Sequence, residues 1–472
     1  MGYGDSIDRL KQYLAAGHGR GYRIIQESPE TYRKLVEELC VSDSSFDLQC
    51  EGSRAVYVYD LTLLYDDPAY FLNKAIKEYM KEYVDSDWHT FYHLTDLLML
   101  YAFESHEKKA EDIIWKKYEK LFGILMTKRF SGYLNEVSQN YERIAIALIG
   151  QYDWECAKRL MRDMGAWFIR RRTADPKELK WRFGWLFSVL KDEYGEEDLQ
   201  NRLVNCSKES KEIAKFYQVM TMPDEKEEDT FLGKKIICNA DDILKAIQGG
   251  ERNRFHVRGF KLSDEDKLKL ANAAVGEKDL SKKAQLIEIF TLPRTTWPIS
   301  VRYLIDWYEE SSTGTGYECI ALRKAILEAM TYIEDEELYA FAKKDLGAEI
   351  TSLRGSESRV GFEEQCKIES LLDILINHFH KEDEEMIFQL LETIQVDREN
   401  STGWHGIVMD ILKHAKNNLP DSLLLWVYEN SLCSCCRRDA VEELMERGSF
   451  SEKYRQECQF DSDQDIRDLV QI

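Results

Sequence analysis

The residues best suited to contact a charged ligand are concentrated between Trp167 and Trp185. This stretch combines three consecutive arginines with a second group of basic and aromatic side chains: Arg170, Arg171, Arg172, Trp181, Arg182 and Trp185. Guanidinium groups bind phosphate or carboxylate, and indole rings stack on nucleobases. Arginines also stack on tryptophans inside helical proteins while their charged heads remain in water. We therefore treat these residues as a candidate binding surface, with structural stacking as the alternative.

A glycine-rich basic stretch near the N-terminus offers a second candidate. Residues 17–23 read Gly-His-Gly-Arg-Gly-Tyr-Arg, so that Arg20 and Arg23 alternate with small residues. Backbone N–H groups and arginines in such a turn can hold a phosphate. However, the stretch lacks the Lys-Ser/Thr of a Walker loop and follows a predicted helix, whereas nucleotide-binding loops follow strands. The pattern favours a tight turn between helices.

Two groups of residues have some of the features of metal sites. His89 and His93 are one helical turn apart, but Thr90 stands where a zincin motif requires glutamate. The cluster Cys433–Cys436 offers three thiols that Cys458 could join around zinc. Its first two cysteines are separated by one residue, which is shorter than the Cys-x2–4-Cys pairs of structural zinc sites. We expect no bound metal at either place.

The chain contains no recognisable catalytic motif. There is no Gly-x-Ser-x-Gly elbow, kinase signature or P-loop. With 86 acidic residues, spacing alone does not single out a catalytic carboxylate. We expect no catalytic residue and no cofactor.

A recurring motif indicates how the candidate residues are positioned. The pattern Cys-x3-Arg-x3-apolar-x2-apolar occurs three times, at Cys50/Arg54/Val58/Leu61, Cys319/Arg323/Leu327/Met330 and Cys433/Arg437/Val441/Leu444. These offsets place all four positions on one face of a helix. An arginine on a buried face needs a partner for its charge. We therefore predict that Arg54, Arg323 and Arg437 are structural and bind acidic groups or helix-end carbonyls.

The helix preceding the motif recurs as well. Trp307 to Ser311 reads Trp-Tyr-Glu-Glu-Ser, which parallels Trp426-Val-Tyr-Glu-Asn-Ser431. The separation of Cys319 and Cys433 fits three units of roughly 38 residues, near the lower end for HEAT and armadillo repeats. A repeated helical hairpin predicts an α-solenoid, because each unit buries its apolar face only against its neighbours.

The end of the chain carries a family resemblance. An acidic turn at residues 461–463 precedes Ile466 and Arg467, which resembles the Asp-x-x-Val-Arg start of the second helix in a HEAT repeat. The resemblance implies a curved stack of antiparallel hairpins whose concave face binds another protein. It also implies an alternative, because HEAT-like DNA alkylation-repair glycosylases use Trp, Arg and Asp in such a groove.

Composition agrees with an all-α chain and limits its partners. Only 7 prolines occur in 472 residues, and the formal net charge is −22. That charge opposes nonspecific binding to nucleic acid or anionic membrane. The chain has eleven scattered cysteines, no apparent secretory signal and no long apolar run. We therefore predict a cytoplasmic protein with no membrane segment.

The acidic run after Pro223 and the basic residues that follow Gly249-Gly250 suggest a break in the chain. We predict an N-terminal solenoid arm at residues 1–220, a loop region at 221–262 and a C-terminal HEAT-like arm at 263–472. The expected function is a non-catalytic scaffold or adaptor whose surface is rich in tyrosine and tryptophan. Nucleic-acid binding is the alternative.

Overall fold

The structure, a computed structural model, is helical throughout the residues that it describes. These are residues 7–46, 51–81, 88–127, 133–171, 175–223, 239–249, 262–291, 296–354, 361–394, 401–416 and 419–471. They contain 26 α-helices and one short 3₁₀ helix at Ile289–Thr291, and these ranges contain no strand. The predicted all-α class is therefore confirmed. Among the same residues, no helix has the length and apolar character needed to cross a membrane.

Many of the helices begin where a short polar side chain can accept backbone hydrogen bonds. Asp153, for example, accepts from the N–H groups of Glu155 and Cys156. The same type of cap precedes other described helices, for example at Asp67, Asp175, Ser210 and Asp279. Each cap binds N–H groups that have no partner within the helix. The local sequence thus fixes these starts independently of tertiary packing.

The chain divides into two compact units, of which unit 1 comprises residues 1–227, 432–435 and 451–472. Its described helices are α1 Ile7–Ala16, α2 Gly19–Glu27, α3 Pro29–Leu39, α4 Ala55–Thr62, α5 Pro68–Tyr79, α6 Trp88–Phe103, α7 Lys108–Thr127, α8 Tyr133–Ile149, α9 Trp154–Arg170, α10 Pro176–Arg182, α11 Gly184–Tyr194, α12 Glu196–Glu209, α13 Lys211–Met220, α25 Glu452–Cys458 and α26 Gln464–Leu469. The last two follow unit 2 in the sequence but pack in unit 1. From the sequence alone, we predict that these two helices belong to one C-terminal arm at residues 263–472.

Unit 2 comprises residues 228–431 and 436–450. Its helices are α14 Ala240–Gln248, α15 Asp264–Gly276, α16 Leu280–Glu288, α17 Arg302–Ser311, α18 Tyr317–Met330, α19 Glu336–Arg354, α20 Phe362–Asn377, α21 Asp383–Thr393, α22 Ser401–Lys413, α23 Asp421–Asn430 and most of α24 Ser434–Glu446. Residues 434 and 435, at the start of α24, belong to unit 1.

Within each unit, helices pack both on the next helix and on the helix two places along. In unit 1, α6 contacts α4 and α8, and α7 contacts α5 and α9. In unit 2, α18 contacts α16 and α20, α20 also contacts α22, and α19 contacts α17 and α21. Consecutive helices thus alternate between two neighbouring rows in these parts of the chain.

Side-chain hydrogen bonds link the same pairs of helices. Tyr101 donates to the Thr62 hydroxyl oxygen at 2.7 Å across 39 residues. In unit 2, Lys413 donates to Asp373 at 2.8 Å across 40 residues. A polar contact between buried groups has strict distance and angle requirements. Such contacts therefore fix the register of one helix against the helix two places along.

Unit 1 joins the two ends of the chain at a pair of glycines. Gly17 ends α1 with a φ of +66°, and its carbonyl accepts a 2.8 Å hydrogen bond from the Ser462 N–H. A Cβ atom on Gly19 would lie 1.8 Å from the carbonyl oxygen of Glu457 in α25. Only the absence of a side chain allows α2 and α25 to approach this closely. The turn predicted at residues 17–23 comprises only Gly17 and His18, because α1 ends at Ala16 and residues 19–23 belong to α2.

We predict that Gly19→Ala weakens unit 1. The added methyl group would overlap backbone atoms of α25, and overpacking of this kind costs about 1–3 kcal/mol of unfolding free energy. Urea unfolding followed by far-UV circular dichroism would measure the change. Gly123→Ala is the matched control, because a Cβ atom there meets nothing within 4 Å. We expect that variant to be unchanged or more stable by up to about 1 kcal/mol. Equal urea midpoints for Gly19→Ala and the wild type would contradict the close approach of α2 and α25.

Candidate functional site

The predicted basic and aromatic surface is built around a break between two helices. Asp175 caps α10 by accepting the Lys177 N–H at 3.0 Å. Helix α10 then ends at Phe183, which is fully buried and packs edge-to-face on Trp167 at 5.2 Å between ring centroids. The break therefore directs one aromatic residue into the core while its neighbours in sequence remain outside.

Trp181 and Trp185 are the neighbours that remain outside. Trp181 is 81% exposed and Trp185 is 75% exposed, although both are large apolar side chains. Trp167, which the sequence placed in the same basic and aromatic stretch, is buried. The stretch therefore divides into a core tryptophan and two surface tryptophans four residues apart.

Three arginines supply positive charge to this part of unit 1. Burial lowers the pKa of the Arg171 guanidinium, and the like charges of Arg170 and Arg182 lower it further. The Arg182 guanidinium donates to the Glu178 carboxylate at 2.9 Å, whereas Arg170 is exposed. We call Trp181, Trp185 and these three arginines the Trp181–Trp185 patch. Arg172 lies outside the described residues.

The two arginines of the N-terminal glycine-rich stretch have structural contacts. Arg20 is buried, and its guanidinium donates to Glu457 at 3.1 Å and to the Tyr13 hydroxyl oxygen at 2.8 Å. Arg23 donates to the Gln456 side-chain oxygen at 3.2 Å. Both arginines thus contact α25, and Arg20 is not presented to solvent as a ligand-binding surface would require.

The arginines of the recurring motif bind the ends of the preceding helices. Arg323 donates to the carbonyl oxygens of Ser311 and Gly314 at 2.6 and 2.8 Å, and to Glu363 at 3.0 Å. Arg437 is fully buried and donates to the carbonyl oxygen of Ser431 at 3.2 Å. The C-terminal carbonyls of a helix lack partners within the helix and carry partial negative charge. Both arginines therefore complement the C-terminus of the preceding helix.

The first copy of the motif has a different local structure. Arg54 is the N-cap residue of α4 and lies outside that helix, so its copy does not form one continuous helical stripe. Its guanidinium donates to both carboxylate oxygens of Glu51 and to the Ser462 hydroxyl oxygen at 2.6 Å. The acidic partner of Arg54 is thus Glu51, three residues before it. Cys50 lies outside the described residues.

We predict that Arg437→Ala lowers the free energy of unfolding by about 1–3 kcal/mol, because the Ser431 carbonyl loses a charged donor in a buried position. Arg438→Ala, at the next position, is the matched control. The Arg438 side chain is partly exposed and forms an ion pair with Asp439 at 3.4 Å. We expect a change within about 0.5 kcal/mol for this control. Chemical denaturation of both variants would measure the difference, and equal effects would contradict a specific role for Arg437.

A cluster of ionisable groups that the sequence did not reveal lies between α20 and α22. The Asp373 carboxylate is buried and contacts the His414 ring nitrogen at 2.6 Å and Lys413 at 2.8 Å. Glu369 lies one turn before Asp373, and Asp410 lies one turn before His414. These two i, i+4 pairs of polar residues are visible in the sequence. Such pairs are common on solvated helices, so they do not by themselves indicate a buried cluster.

The environment of the cluster favours the protonated form of Glu369 and Asp410, whereas hydrogen bonds with His414 and Lys413 lower the pKa of Asp373 against the effect of its burial. Burial raises the pKa of Glu369 to about 7. Burial also raises the pKa of Asp410 to about 8, with a further contribution from the nearby carboxylates of Asp373 and Glu369. The Glu369 carboxyl group lies against Gly406, where a Cβ atom would be only 2.4 Å from the carboxyl carbon. Carboxyl groups with pKa values near neutrality can donate or accept protons at physiological pH.

We predict that these raised pKa values make unit 2 less stable as the pH rises. Between about pH 4 and 8, the Glu369 and Asp410 carboxyl groups hold protons in the folded chain that they lose in the unfolded chain, so their contribution to the free energy of unfolding falls across this range. Asp410→Asn should therefore gain stability relative to the wild type at pH 9, by on the order of 1–3 kcal/mol. It should show little gain at pH 5.

The matched control is Asp264→Asn, because the Asp264 side chain is 97% exposed. Urea midpoints measured at both pH values would test the expectation. The charges that face Asp410 in this cluster are those of Glu369, Asp373 and Lys413. A gain for Asp410→Asn that is the same at pH 5 and pH 9 would contradict it.

The two histidines on α6 lie beside an acidic side chain. His93 is fully buried, and its Nε2 lies 3.0 Å from the Leu39 carbonyl oxygen. Its Nδ1 lies 4.0 Å from the Asp43 carboxylate, and His89 Nδ1 lies 3.8 Å from the other oxygen of Asp43. Burial lowers the pKa of His93, although Asp43 opposes the shift. A neutral His93 that donates through Nε2 accounts for the contact with Leu39.

Comparison with known proteins adds no assignment. No protein-family model matches the chain, and neither a curated protein nor a solved structure matches it. Any functional conclusion therefore depends on the geometry and charge of the residues described above.

Proposed function

We propose that this protein is a non-catalytic scaffold or adaptor that binds another protein. We further propose that its helices form a curved solenoid of the HEAT class, whose concave face carries the partner. The packing of helices on those two places along supports this arrangement, as do the polar contacts across about 40 residues. The observation that carries the functional proposal is the exposure of Trp181 and Trp185.

Two exposed tryptophans on neighbouring helices are best explained by a partner that covers them. Tryptophan and arginine are enriched among the residues that contribute most to protein–protein affinity. Large apolar side chains grouped on a surface typically mark an interaction site. In the Trp181–Trp185 patch, both rings are accessible, and Arg182 directly follows Trp181 in the sequence.

The positive charge of the Trp181–Trp185 patch favours a partner of opposite charge. The chain as a whole has a formal net charge of −22, so a local group of arginines stands out against an acidic background. Complementary charges accelerate association and exclude partners of the same sign. We therefore infer that the partner presents an acidic segment that also contains apolar side chains to cover the indole rings.

Nucleic acid is the second candidate ligand of the same patch. Exposed tryptophans stack on bases and arginines bind phosphates, so a single strand fits the local chemistry. The net charge of −22 opposes it, because the remainder of the surface repels a polyanion. This balance favours a protein partner, which has far fewer negative charges per unit length.

We predict that Trp181→Ala/Trp185→Ala abolishes most partner binding. The test uses fluorescence anisotropy with two labelled probes at physiological salt, an acidic peptide containing phenylalanine and leucine and a single-stranded oligothymidine. We expect the peptide to bind the wild-type chain and the double variant to bind it at least about tenfold more weakly, the effect of losing a contact worth about 1.4 kcal/mol. The oligonucleotide should bind only in the nonspecific range.

The matched control is Tyr317→Ala/Phe362→Ala in unit 2. These side chains are 76% and 77% exposed, similar to the two tryptophans. The control variant should retain peptide binding. Peptide binding that is lost equally in both double variants would contradict the assignment of the patch. Tight oligonucleotide binding with steep salt dependence that requires the tryptophans would instead establish the second candidate.

A further inference from the structure

Three soft donor atoms come together in unit 2 where α22 faces α24. His405 and Met409 are four residues apart on α22, and Cys436 lies in the first turn of α24. The Cys436 sulfur lies 4.0 Å from the His405 Nε2 and 3.7 Å from the Met409 sulfur. The His405 ring and the Met409 thioether lie 31 and 27 residues before Cys436, so the cysteine cluster in the sequence does not reveal this contact.

The distances from the Cys436 sulfur to the His405 Nε2 and to the Met409 sulfur match those between two ligands of one small metal ion. Three donors at about 2.0–2.3 Å from one ion lie about 3.5–4.0 Å from each other in a trigonal arrangement. Both separations measured from the Cys436 sulfur are close to this range, so His405 and Met409 could each share an ion with Cys436 after little rearrangement. Thiolate and thioether sulfur together favour Cu(I) over harder divalent ions. We propose that His405, Met409 and Cys436 bind one Cu(I) ion.

The surroundings of the three residues suit such a site. Cys436 is buried, whereas the Met409 side chain is 49% exposed and provides a route to solvent. The Cys436 side chain lies near the N-terminus of α24, where the helix dipole stabilises a thiolate. On binding, the Cys436 thiol releases its proton to solvent and a copper–sulfur bond forms. Copper remains Cu(I), so the step needs no oxidant or reductant.

Packing alone accounts less well for this arrangement. Buried methionine and cysteine commonly fill gaps in apolar cores, and a thiol can donate weakly to a thioether. Met409, however, is among the large apolar side chains that remain exposed, so its position gains little from burial. A metal ligand at the rim of a site is expected to be partly exposed in this way, since the ion must enter past it.

The test is a competition titration of the full-length chain under anaerobic, reducing conditions. Cu(I) is supplied as its coloured bathocuproine disulfonate complex, and the loss of colour measures transfer to the protein. We expect the wild type to remove one equivalent. Met409→Leu conserves side-chain volume and should weaken Cu(I) binding at least tenfold, and Cys436→Ser should abolish the transfer. Circular dichroism would verify that each variant is folded.

Two variants in the same unit serve as matched controls. Cys319→Ser removes a half-buried thiol, and Met386→Leu removes a thioether from α21. Both should bind Cu(I) as the wild type does. X-ray absorption of the loaded wild type should show two sulfur ligands and one nitrogen ligand. Copper transfer that persists in Cys436→Ser would overturn the proposal. So would the absence of transfer to the wild type, or a preference for zinc that is unaffected by Met409→Leu.

Discussion

The contact between α2 and α25 unites the two ends of the chain, and the structure of unit 1 depends on it. Arg20 and Glu457 form a buried ion pair across 437 residues, next to the close approach at Gly19. Loss of either partner would leave a charge buried without its counter-ion, which costs several kcal/mol. Unit 1 therefore requires the last helices of the chain, although the whole of unit 2 intervenes. The glycines and arginines that suggested a phosphate loop are explained by this contact.

A second type of interaction recurs within the helical pairs. Arg323 and Arg437 each reach back to the C-terminal end of the preceding helix, at Ser311 and Ser431, respectively. The guanidinium provides donors for carbonyls that lack them and places positive charge at the negative end of the helix dipole. The two helices of a pair are thereby fixed in angle as well as in distance. The repeated sequence motif thus has a physical basis in helix capping, and a catalytic role is not needed to explain it.

The sequence predicted the features that depend on local physics. The helical class and the tight turn that begins at Gly17 are set within a few residues, and the structure contains both. The features that depend on tertiary contacts were not predictable from one sequence. Trp167 and Trp181 lie in the same basic and aromatic stretch of the sequence. Trp167 packs on Phe183 in the core, whereas Trp181 is exposed. Glu369 and Asp410 have raised pKa values only because α20 packs on α22. His405 and Cys436 meet across 31 residues.

The hydrogen bonds between neighbouring helices within a unit involve groups that titrate in different pH ranges. In unit 1, the hydroxyl groups of Tyr118 and Tyr141 share a 2.6 Å hydrogen bond, and burial raises the pKa of both phenols. These groups stay neutral at any physiological pH, so this contact between α7 and α8 does not depend on pH. In unit 2, Asp373 contacts Lys413 and His414, and burial raises the pKa of the neighbouring Asp410 to about 8. Unit 1 also contains such a group, because burial raises the pKa of Glu142, which accepts a hydrogen bond from the Leu186 N–H, to about 7. A change in pH therefore acts on helix contacts in both units.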